Sequence, residues 1–452
     1  MKKLVALLMA VLMLLASVAA LAEAPEGYPE VVPGIDFGGQ TIYIYDYWSA
    51  SSERAAEPTE EQQAQYDYRD WIEATYNCHV VQIAKGDWGS NATELVNFVA
   101  AGDASTLCFF ILPPDFVGGP LANNALMAWN NELIDLADAE KWNQFTIGAY
   151  TGADGKVYGV STGVTEPRQC LYFNKRVLEE AGIEWEKIYD MQADGTWTFE
   201  VFEDMLNQIQ KDTDNDGVPN IYGMTGSNVD MYRVAVFNNG GKFFDYDENG
   251  KLVIAAGSDN TLEALAWAKN IWNTYGYQQP ADGSWDYYKE AWKQGFCGFY
   301  MYQTYGGFND NSEMADMVDE WGCVFFPKGP KGDTMYHIAS ENVTVLPNVY
   351  DAETAAKMTF IYDLWTNPTP GYEEDNWIGN KYLYTDERAV DETYAMMRMP
   401  EHTAFDPVYS LGSVNDVEGA DYLWNLGGSD PQALLEAKTP VWQGLLDAFN
   451  SK

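Results

Sequence analysis

Apolar and polar positions follow two alternating periods in the first part of the chain. Short apolar runs of strand type are separated by stretches in which apolar residues recur every three or four positions, as on one face of a helix. The pattern predicts strands at 41–45, 79–83 and 107–112, with helices at 57–76 and 91–101 between them. Strands that alternate with helices in this way predict βαβ units and a parallel sheet.

A change of pattern after this block indicates a boundary between two lobes. A short strand or hairpin at 156–160 is followed by the polar linker 162–169 and by an aromatic strand at 170–173. A helix then begins, with Asn174 placed to cap it and Gly182 placed to end it. We interpret the linker as a hinge at which the chain leaves lobe 1 and enters lobe 2.

The following block has strands and helices of its own, among them an amphipathic helix beginning at Phe199. The aromatic strand at 295–302 is interpreted as the second crossover. Later strands are predicted at 321–326 and 343–346, helices at 352–365 and 385–397, and mixed helix and loop at 433–449. The predicted division is a signal peptide (1–22), lobe 1 (35–169), lobe 2 (170–296), a return to lobe 1 (297–366) and a C-terminal helical part shared between the lobes (367–452).

The first residues have the pattern of an export signal. Lys2 and Lys3 precede an apolar run at 4–19, and small residues suited to cleavage follow. An uncleaved membrane anchor is the alternative, but acidic residues rather than a basic stop follow the run. No cysteine precedes Cys78. We therefore expect an exported protein that is periplasmic, extracellular or at the cell surface. We do not expect it to be anchored as a lipoprotein.

Length and charge narrow the class of protein further. The chain has 452 residues and a net charge of −42, which becomes −44 once the two signal-peptide lysines are removed. So long a chain predicts two domains or lobes. The strong negative charge argues against nucleic acid and anionic membranes as partners, and its simplest meaning is solubility outside the cell.

The cysteines and histidines give little sign of catalysis. None of the five cysteines has metal-ligand spacing, and we expect buried, inert thiols; only Cys297 and Cys323, on predicted strands, resemble a pair. There are three histidines, and none stands in a His-x-x-His or metalloprotease pattern, so a catalytic triad or zinc site is not expected.

An acidic loop follows the amphipathic helix. Three carboxylates on alternate residues precede a glycine turn, which is the spacing that a hard cation such as Ca²⁺ needs. The predicted ligands are Asp212, Asp214, Asp216, the carbonyl of Val218 and the side chain of Asn220. The twelfth position is Gly223 rather than Glu, so a complete EF-hand is excluded. The alternative is a solvated acidic loop; a bound ion would be structural, and no catalytic cofactor is expected.

The order of short motifs resembles the extracellular solute-binding proteins of bacterial ABC importers, in the carbohydrate-binding, maltose-binding-protein-like group called family 1. The matching pieces are GKVYGV at 155–160, LYFNKRVLEEAGI at 171–183, TWTFEVFEDML at 196–206, KDTDNDGVPNIYG at 211–223, NNGGKFFD at 238–245 and GFCGFYMY at 295–302. The resemblance covers about 35–370. The absence of a lipidation cysteine and the part after 370 depart from it.

This resemblance implies a fold and a function. The fold would be α/β, a two-lobed periplasmic-binding-protein fold of type II, with a mixed sheet flanked by helices in each lobe and a multi-strand hinge that closes on ligand. The protein would be a monomer that captures a carbohydrate, expected to be an oligosaccharide, and delivers it to the membrane permease of an ABC importer.

Candidate ligand contacts follow from the predicted strand ends. Ligands of parallel sheets bind beyond the carboxyl ends of the strands. There, aromatic faces can stack on pyranose rings and charged side chains can hydrogen-bond hydroxyls. The predicted ligand-binding residues are Trp48, Trp88, Asp115, Tyr158, Arg168, Asn239, Tyr302, Gln303, Tyr305 and Glu341. Packing is the alternative for each tryptophan and for Tyr158 and Tyr302, and a pairing with Glu166 is the alternative for Arg168.

Two other functions stay open at this point. An exported glycan-degrading enzyme needs two carboxylates about 5–10 Å apart, and 68 acidic residues make such a pair nearly certain by chance. A surface protein or sensor without a transport role is the other alternative. The resemblance favours a binding protein that is not an enzyme.

Overall fold

The computed structural model describes residues 24–50, 53–152, 154–281, 283–307, 314–373, 384–412, 415–419 and 421–450. The predicted signal peptide lies outside these residues. Two sheets organise the described chain, and each has its own apolar core. The names lobe 1 and lobe 2 are kept for the two halves built on them.

The elements are as follows. The strands are β1 (Gln40–Asp46), β2 (Cys78–Ala84), β3 (Leu107–Leu112), β4 (Leu126–Met127), β5 (Gln169–Asn174), β6 (Tyr222–Gly226), β7 (Phe244–Tyr246), β8 (Leu252–Ile254), β9 (Cys297–Gln303), β10 (Trp321–Val324), β11 (His337–Ile338), β12 (Val343–Pro347) and β13 (Thr403–Ala404). The α-helices are α1 (Glu60–Tyr76), α2 (Asn91–Ala101), α3 (Gly118–Ala122), α4 (Gln144–Ala149), α5 (Lys175–Glu180), α6 (Glu186–Asp194), α7 (Phe199–Ile209), α8 (Asn228–Asn238), α9 (Asp259–Tyr275), α10 (Tyr287–Lys293), α11 (Ala352–Trp365), α12 (Ala395–Met397) and α13 (Pro431–Asn450).

Lobe 1 is built on a five-stranded sheet with the order β2-β1-β3-β12-β4. β1 is parallel to β2 and β3, as the alternating pattern predicts. The late strand β12 is antiparallel to β3 and β4. Buried aromatic residues such as Phe109, Trp129 and Trp142 form the core beneath the sheet. The carboxyl ends of β1, β2 and β3 therefore lie along one edge of lobe 1, where a ligand site is expected.

Lobe 2 is built on a four-stranded sheet with the order β10-β5-β9-β6. β5 is antiparallel to both β9 and β10, and β6 is parallel to β9. The predicted return to lobe 1 at 297–366 therefore differs from the structure, because β9 and β10 pair on either side of β5. The chain re-enters the lobe 1 sheet only with β12.

The same strand order corrects the predicted cysteine pair. Cys297 lies on β9 and Cys323 on β10, and β5 separates these two strands. A disulfide needs Cα atoms within about 7 Å, which strands on opposite sides of a third do not provide. All five cysteines are buried free thiols, which agrees with the expectation of buried thiols.

Local sequence explains where the principal helices begin. Thr59 and Gln62 form a capping box at the start of α1. The side chain of Asn174 accepts a hydrogen bond from Val177 N and caps α5, as predicted. Gly182, with φ of +81°, follows this helix, where a left-handed conformation favours glycine.

The C-terminal part differs from the pattern-based prediction. The helix predicted at 385–397 contains a π-helical turn at Ala389–Tyr394 before α12. The stretch predicted as mixed helix and loop forms one long helix, α13, with Pro440 inside it. Burial explains this, because Trp442 packs in the lobe 2 core and outweighs the backbone hydrogen bond that proline removes.

Three connections join the lobes. The first, 161–168, contains the predicted hinge and leads into β5, and the second, 339–342, leads into β12. The third follows α11 and is only partly described. The predicted strand at 156–160 is present only as isolated pairs of Val157 with Thr151 and of Val160 with Thr344. Within the described ranges we find no helix that is both long and apolar enough to cross a membrane.

Candidate functional site

The edges of the two sheets meet around Asp115, which follows β3. Its carboxyl group interacts electrostatically with Arg168 in the first connection and with Asp230 and Arg233 of α8. Tyr47, after β1, interacts with Arg168, Asp115 and Tyr305. These interactions join the end of lobe 1, the hinge and the start of α8 in lobe 2. We call this group of residues the interlobe cluster.

Within the interlobe cluster, Asp115 combines a raised carboxyl pKa with the lack of a hydrogen-bond partner for that carboxyl group among the described residues. Burial raises the pKa of its carboxyl group to about 6, opposed by the charge of Arg233 and assisted by that of Asp230. The carboxylate has no hydrogen bond or ion pair to any residue in the described part of the chain. A desolvated acceptor without a partner is costly unless a ligand supplies the donor.

Arg168 forms a hydrogen bond through its backbone, whereas the Nε of its side chain has no partner among the described residues. Its carbonyl oxygen accepts a hydrogen bond of 2.8 Å from Thr304 N, while its Nε is buried without a partner among the described residues. The alternative pairing with Glu166 is not found. Glu166 instead accepts from the hydroxyl of Tyr394 at 2.9 Å and lies 3.5 Å from Arg398.

Glu341 and Tyr47 border the same region from the second connection and from β1. Glu341 Oε1 accepts from Glu166 N at 2.7 Å, and burial raises the pKa of Glu341. The hydroxyl of Tyr47 donates to Asn342 Oδ1 at 2.8 Å. One hydrogen bond therefore joins the two connections, and another joins the second connection to lobe 1, at the base of the interlobe region.

Lobe 2 contributes the first turn of α8. Ser227 caps this helix by accepting from Asp230 N at 3.3 Å. The carboxylate of Asp230 is hydrogen-bonded by Gln303 and lies 3.8 Å from Arg233. Burial raises the pKa of Asp230, while the Arg233 charge opposes this. The polar end of β9 and the start of α8 thus form the lobe 2 wall.

The positive charge of Arg233 is compensated within lobe 2. Its Nε donates to Glu418 at 2.8 Å and lies 4.0 Å from Asp406, and both carboxyl groups are fully buried. Burial raises the pKa of Asp406 and of Glu418, and the two side chains hydrogen-bond each other. A proton shared between them leaves one negative charge opposite Arg233, so the arginine is a structural centre rather than a free anion receptor.

Exposed aromatic rings surround the strand ends. Trp48 is 50% exposed and contacts Tyr47 edge-on, and Trp88 is 42% exposed and contacts Phe116 edge-on. Tyr305 is 42% exposed. Such accessible rings provide apolar faces for stacking against a ligand. Gln303 and Glu341 are partly exposed, so seven of the ten predicted contacts lie at strand ends or connections.

The other three predicted contacts lie elsewhere. Tyr158 donates to Asp154 Oδ2 at 2.9 Å within its own turn. Asn239 is buried beyond the far end of α8, where Asn260 O and Lys331 N satisfy its side chain. Tyr302 is 6% exposed and its ring stacks on Tyr300 in the lobe 2 core.

Sequence reasoning missed several members of the interlobe cluster. Tyr47, Asp230 and Arg233 were not singled out, although Tyr47 directly precedes a predicted contact. Asn342, which accepts a hydrogen bond from Tyr47, was not singled out either. Polar residues in the first turn of α8 carried a usable signal, because Asp230 and Arg233 interrupt a helix whose following residues are apolar and buried. Their meeting with Asp115 depends on tertiary structure and has no local signal.

The acidic loop lies outside the interlobe cluster, between α7 and β6 in lobe 2. Carboxylate oxygens of Asp212, Asp214 and Asp216 lie within 4.8 Å of one another, and all three side chains are exposed. Asn220 Oδ1 already accepts from Thr213 N at 2.6 Å, and the exposed Val218 donates its N–H to Asp216. The loop therefore brings the three predicted carboxylates together, while Asn220 is engaged inside the loop.

Comparison with known proteins identifies the family. Residues 50–359 match the sequence model of the bacterial extracellular solute-binding proteins. The match spans more than half of the chain, and the chain belongs to this family. No sequence match to a curated protein was found.

Solved structures of similar fold agree with this assignment. An ABC substrate-binding protein from Listeria monocytogenes in complex with cycloalternan is 16% identical, with a TM-score of 0.60 over 90% of this chain and 99% of that chain. A cyclic α-maltosyl-1,6-maltose binding protein from Arthrobacter globiformis is 16% identical, with a TM-score of 0.58 over 90% and 99%. UgpB from Mycobacterium tuberculosis in complex with glycerophosphocholine is 15% identical, with a TM-score of 0.60 over 89% and 98%. These similarities confirm the predicted two-lobed fold of type II.

Proposed function

We propose that this solute-binding protein captures a carbohydrate between its lobes and delivers it to an ABC importer. The observation that carries the proposal is the unpartnered Asp115 carboxylate, which lies at the lobe 1 edge within electrostatic range of Asp230 and Arg168. Carboxylates accept and a guanidinium donates, so together they suit hydroxyl groups, which do both. One solved structure of similar fold is a complex with cycloalternan, and another is that of a cyclic α-maltosyl-1,6-maltose binding protein.

The carboxyl groups of Asp115, Asp230 and Glu341, together with the exposed aromatic rings, support a neutral sugar over an anionic solute. Arg233 is compensated by Glu418 and Asp406, so it has no spare charge for a ligand phosphate or carboxylate. The exposed rings of Trp48, Trp88 and Tyr305 provide faces that stack on the C–H side of pyranose rings. The relative that binds glycerophosphocholine makes this solute the natural competitor in a test.

The decisive experiment measures binding of a glycan panel to the purified mature chain. Isothermal titration calorimetry and intrinsic tryptophan fluorescence would be recorded for α- and β-linked oligosaccharides and for glycerophosphocholine. At least one neutral oligosaccharide should bind, and Asp115→Asn should weaken that binding while the exposed Glu248→Gln, on the hairpin turn of lobe 2, leaves it unchanged. Binding of glycerophosphocholine without any sugar would show that the ligand class is wrong.

Ligand capture is proposed to close the hinge formed by the connections at 161–168 and 339–342. Asp115 and Asp230 come from different lobes, so a ligand that bonds both stabilises the closed arrangement. Small-angle X-ray scattering should show a smaller radius of gyration on addition of the bound oligosaccharide. An unchanged scattering curve at saturating ligand would argue against closure.

The proposed protein is an exported monomer that binds sugar without altering it. Mass spectrometry of the secreted or periplasmic chain should show cleavage near 22 and no lipid, and light scattering should give one chain per particle. Product analysis after long incubation with the bound glycan tests the enzyme alternative. Turnover that a carboxylate substitution abolishes would replace the binding function by hydrolysis.

A further inference from the structure

A small cavity lies beside Asp115, behind the edge of lobe 1. It is lined by residues from four parts of the chain, among them Pro114, Tyr150, Ser340, Glu341, Phe405 and Tyr409. The cavity has room for about one water-sized group, so a whole sugar ring cannot enter it. Among the predicted contacts, Glu341 is the one that lines it.

Two tyrosines give this cavity unused hydrogen-bonding capacity. The hydroxyl of Tyr150 is buried and has no partner among the described residues. Tyr409 is also a buried residue, and its hydrogen bonds to the described residues are made by its backbone. Thr146 differs, because its hydroxyl pairs with Ser161 at 2.7 Å. Buried polar groups are normally satisfied, so unpartnered hydroxyls beside a ligand site indicate a missing partner.

Electrostatic interactions place both tyrosines near Asp115. Burial raises the pKa of Tyr150, and the Asp115 charge raises it further. Burial also raises the pKa of Tyr409, with opposing effects from Arg233 and Asp115. A ligand held by the Asp115 carboxylate can therefore place one of its substituents against the two hydroxyl groups.

We propose that this cavity is a subsite for the exocyclic hydroxymethyl group of a hexose, with Tyr150 and Tyr409 as the residues that select it. The proposal rests on the proposed carbohydrate binding. A hydroxymethyl group carries its hydroxyl one carbon further from the ring than a ring hydroxyl. That hydroxyl matches a space for about one water-sized group, while the ring stays outside the cavity. Pro114 and Phe405 offer apolar surface to its CH₂, and the tyrosine hydroxyls can bond its oxygen.

The subsite makes the protein selective for hexoses over pentoses. A pentopyranose lacks the hydroxymethyl group and offers no oxygen to the two tyrosine hydroxyls. Recognition through a hydroxyl that fills a polar subsite discriminates more strongly than recognition of an apolar group of similar size. Xylo-oligosaccharides should therefore bind more weakly than matched gluco-oligosaccharides.

The test compares matched ligands on three forms of the full mature chain. Calorimetry would measure cellotetraose and xylotetraose, or the hexose oligosaccharide that binds best in the panel and its pentose or 6-deoxy counterpart. The wild type should bind the hexose oligosaccharide at least about 10-fold more tightly than its pentose or 6-deoxy counterpart. Tyr150→Phe should remove most of this preference by weakening the binding of the hexose oligosaccharide alone. Tyr246→Phe, on the exposed β7–β8 hairpin, is the matched control and should behave as the wild type.

The outcomes separate this proposal from the proposed function. Equal binding of both sugars by the wild type, or an equal loss of both in Tyr150→Phe, would overturn the subsite while carbohydrate binding stands. Failure of every sugar to bind would overturn both. Because Tyr150→Phe removes only an unpartnered hydroxyl, the ligand-free variant should melt no lower than the wild type, and Tyr409→Phe provides an independent second measurement.

Discussion

Asp115 links the chemistry of the binding site to pH. Its carboxyl group faces Arg168, Arg233, Asp230, Tyr150 and Tyr409, and burial raises its pKa to about 6. The ionised carboxylate is the stronger acceptor for a sugar hydroxyl, and a proton bound to it competes with the hydroxyl group of the ligand. Binding should therefore be strong above the pKa of Asp115 and weaken as the pH falls through it.

The first prediction follows from that sign. Between pH 7.5 and pH 5 the dissociation constant of the bound oligosaccharide should rise about 10-fold, because most Asp115 carboxyl groups become protonated. Asp115→Asn should bind about 10-fold to 100-fold more weakly at pH 7.5 and lose most of the pH dependence. Calorimetry at several pH values measures both effects, and a variant that keeps the wild-type pH profile would assign the profile to another group.

The acidic loop supports a second prediction at the residue scale, since calcium binding there stays a prediction. The carboxylates of Asp212, Asp214 and Asp216 already converge, so a cation would relieve their mutual repulsion. In chelator-treated protein, 1 mM Ca²⁺ should raise the melting temperature by about 2–4 °C. Asp214→Asn should abolish the rise, and Asp204→Asn, on the exposed face of α7, should keep it. An unchanged melting curve in the wild type, with no metal in the purified protein, would contradict calcium binding.

At the scale of elements, α13 shows how burial overrides local sequence. Pro440 cannot donate to the carbonyl four residues before it, yet α13 continues from Pro431 to Asn450. Trp442 is fully buried, and its Nε1 donates to Val417 O at 3.2 Å. Its neighbour Val441 is 54% exposed. Two adjacent positions of one helix thus differ almost completely in burial.

The third prediction uses this pair. Trp442→Ala should lower the free energy of unfolding by about 3–5 kcal/mol, because it leaves a cavity in the lobe 2 core. Val441→Ala should change it by no more than about 0.5 kcal/mol. Urea denaturation followed by circular dichroism compares the two variants. Equal losses would mean that α13 is held by its backbone rather than by Trp442.

Local pattern predicts individual elements well and their partners poorly. The apolar runs of β1, β2 and β3 and the stripe of α7 are confirmed, because each pattern depends on nearby residues alone. The assignment of β9 and β10 to lobe 1 was wrong. Both faces of these strands are buried, so their sequence is continuously apolar and does not indicate to which sheet they belong. Only pairing with β5 distinguishes the two topologies.

The candidate site shows the same limit. Local pattern was sufficient to place Asp115 and Trp88 near strand ends, because Asp115 lies three residues after β3 and Trp88 four residues after β2. Asp230 and Tyr409 lie far from Asp115 in sequence and reach it through the packing of α8 and of the C-terminal segment. Asn239 was misplaced by a turn motif whose amide is already bonded to Asn260 and Lys331.

At the scale of the whole molecule, acidic groups have two effects, one through the net charge and one through the buried carboxyl groups. The chain carries a net charge of −42, and several carboxyl groups are buried at the interlobe region and behind it. Burial raises the pKa of Asp230, Glu341, Asp406 and Glu418, and of Asp115 to about 6. Both features destabilise the folded state as the pH rises, the first through mutual repulsion and the second through proton linkage.

The fourth prediction is that this protein is more stable at pH 5.5 than at pH 7.5. A carboxyl group whose pKa is raised by folding contributes stability below its unfolded pKa, and that stability is lost as the pH rises through its folded pKa. Each group that stays protonated in the fold contributes a slope of up to about 1.4 kcal/mol per pH unit. The melting temperature should therefore fall by several degrees between pH 5.5 and pH 7.5.

Two controls separate the surface charge from the buried groups. In 0.5 M NaCl the repulsion between surface charges is screened, and the part of the pH dependence that comes from buried carboxyl groups persists. Glu418→Gln keeps a donor toward Asp406 without a titrating proton, so it should flatten the remaining slope. Exposed carboxylates with lowered pKa, such as Asp103 and Asp351, are ionised throughout this pH range and add no slope to it. A melting temperature that stays constant or rises from pH 5.5 to pH 7.5 in both salt conditions would therefore contradict the prediction.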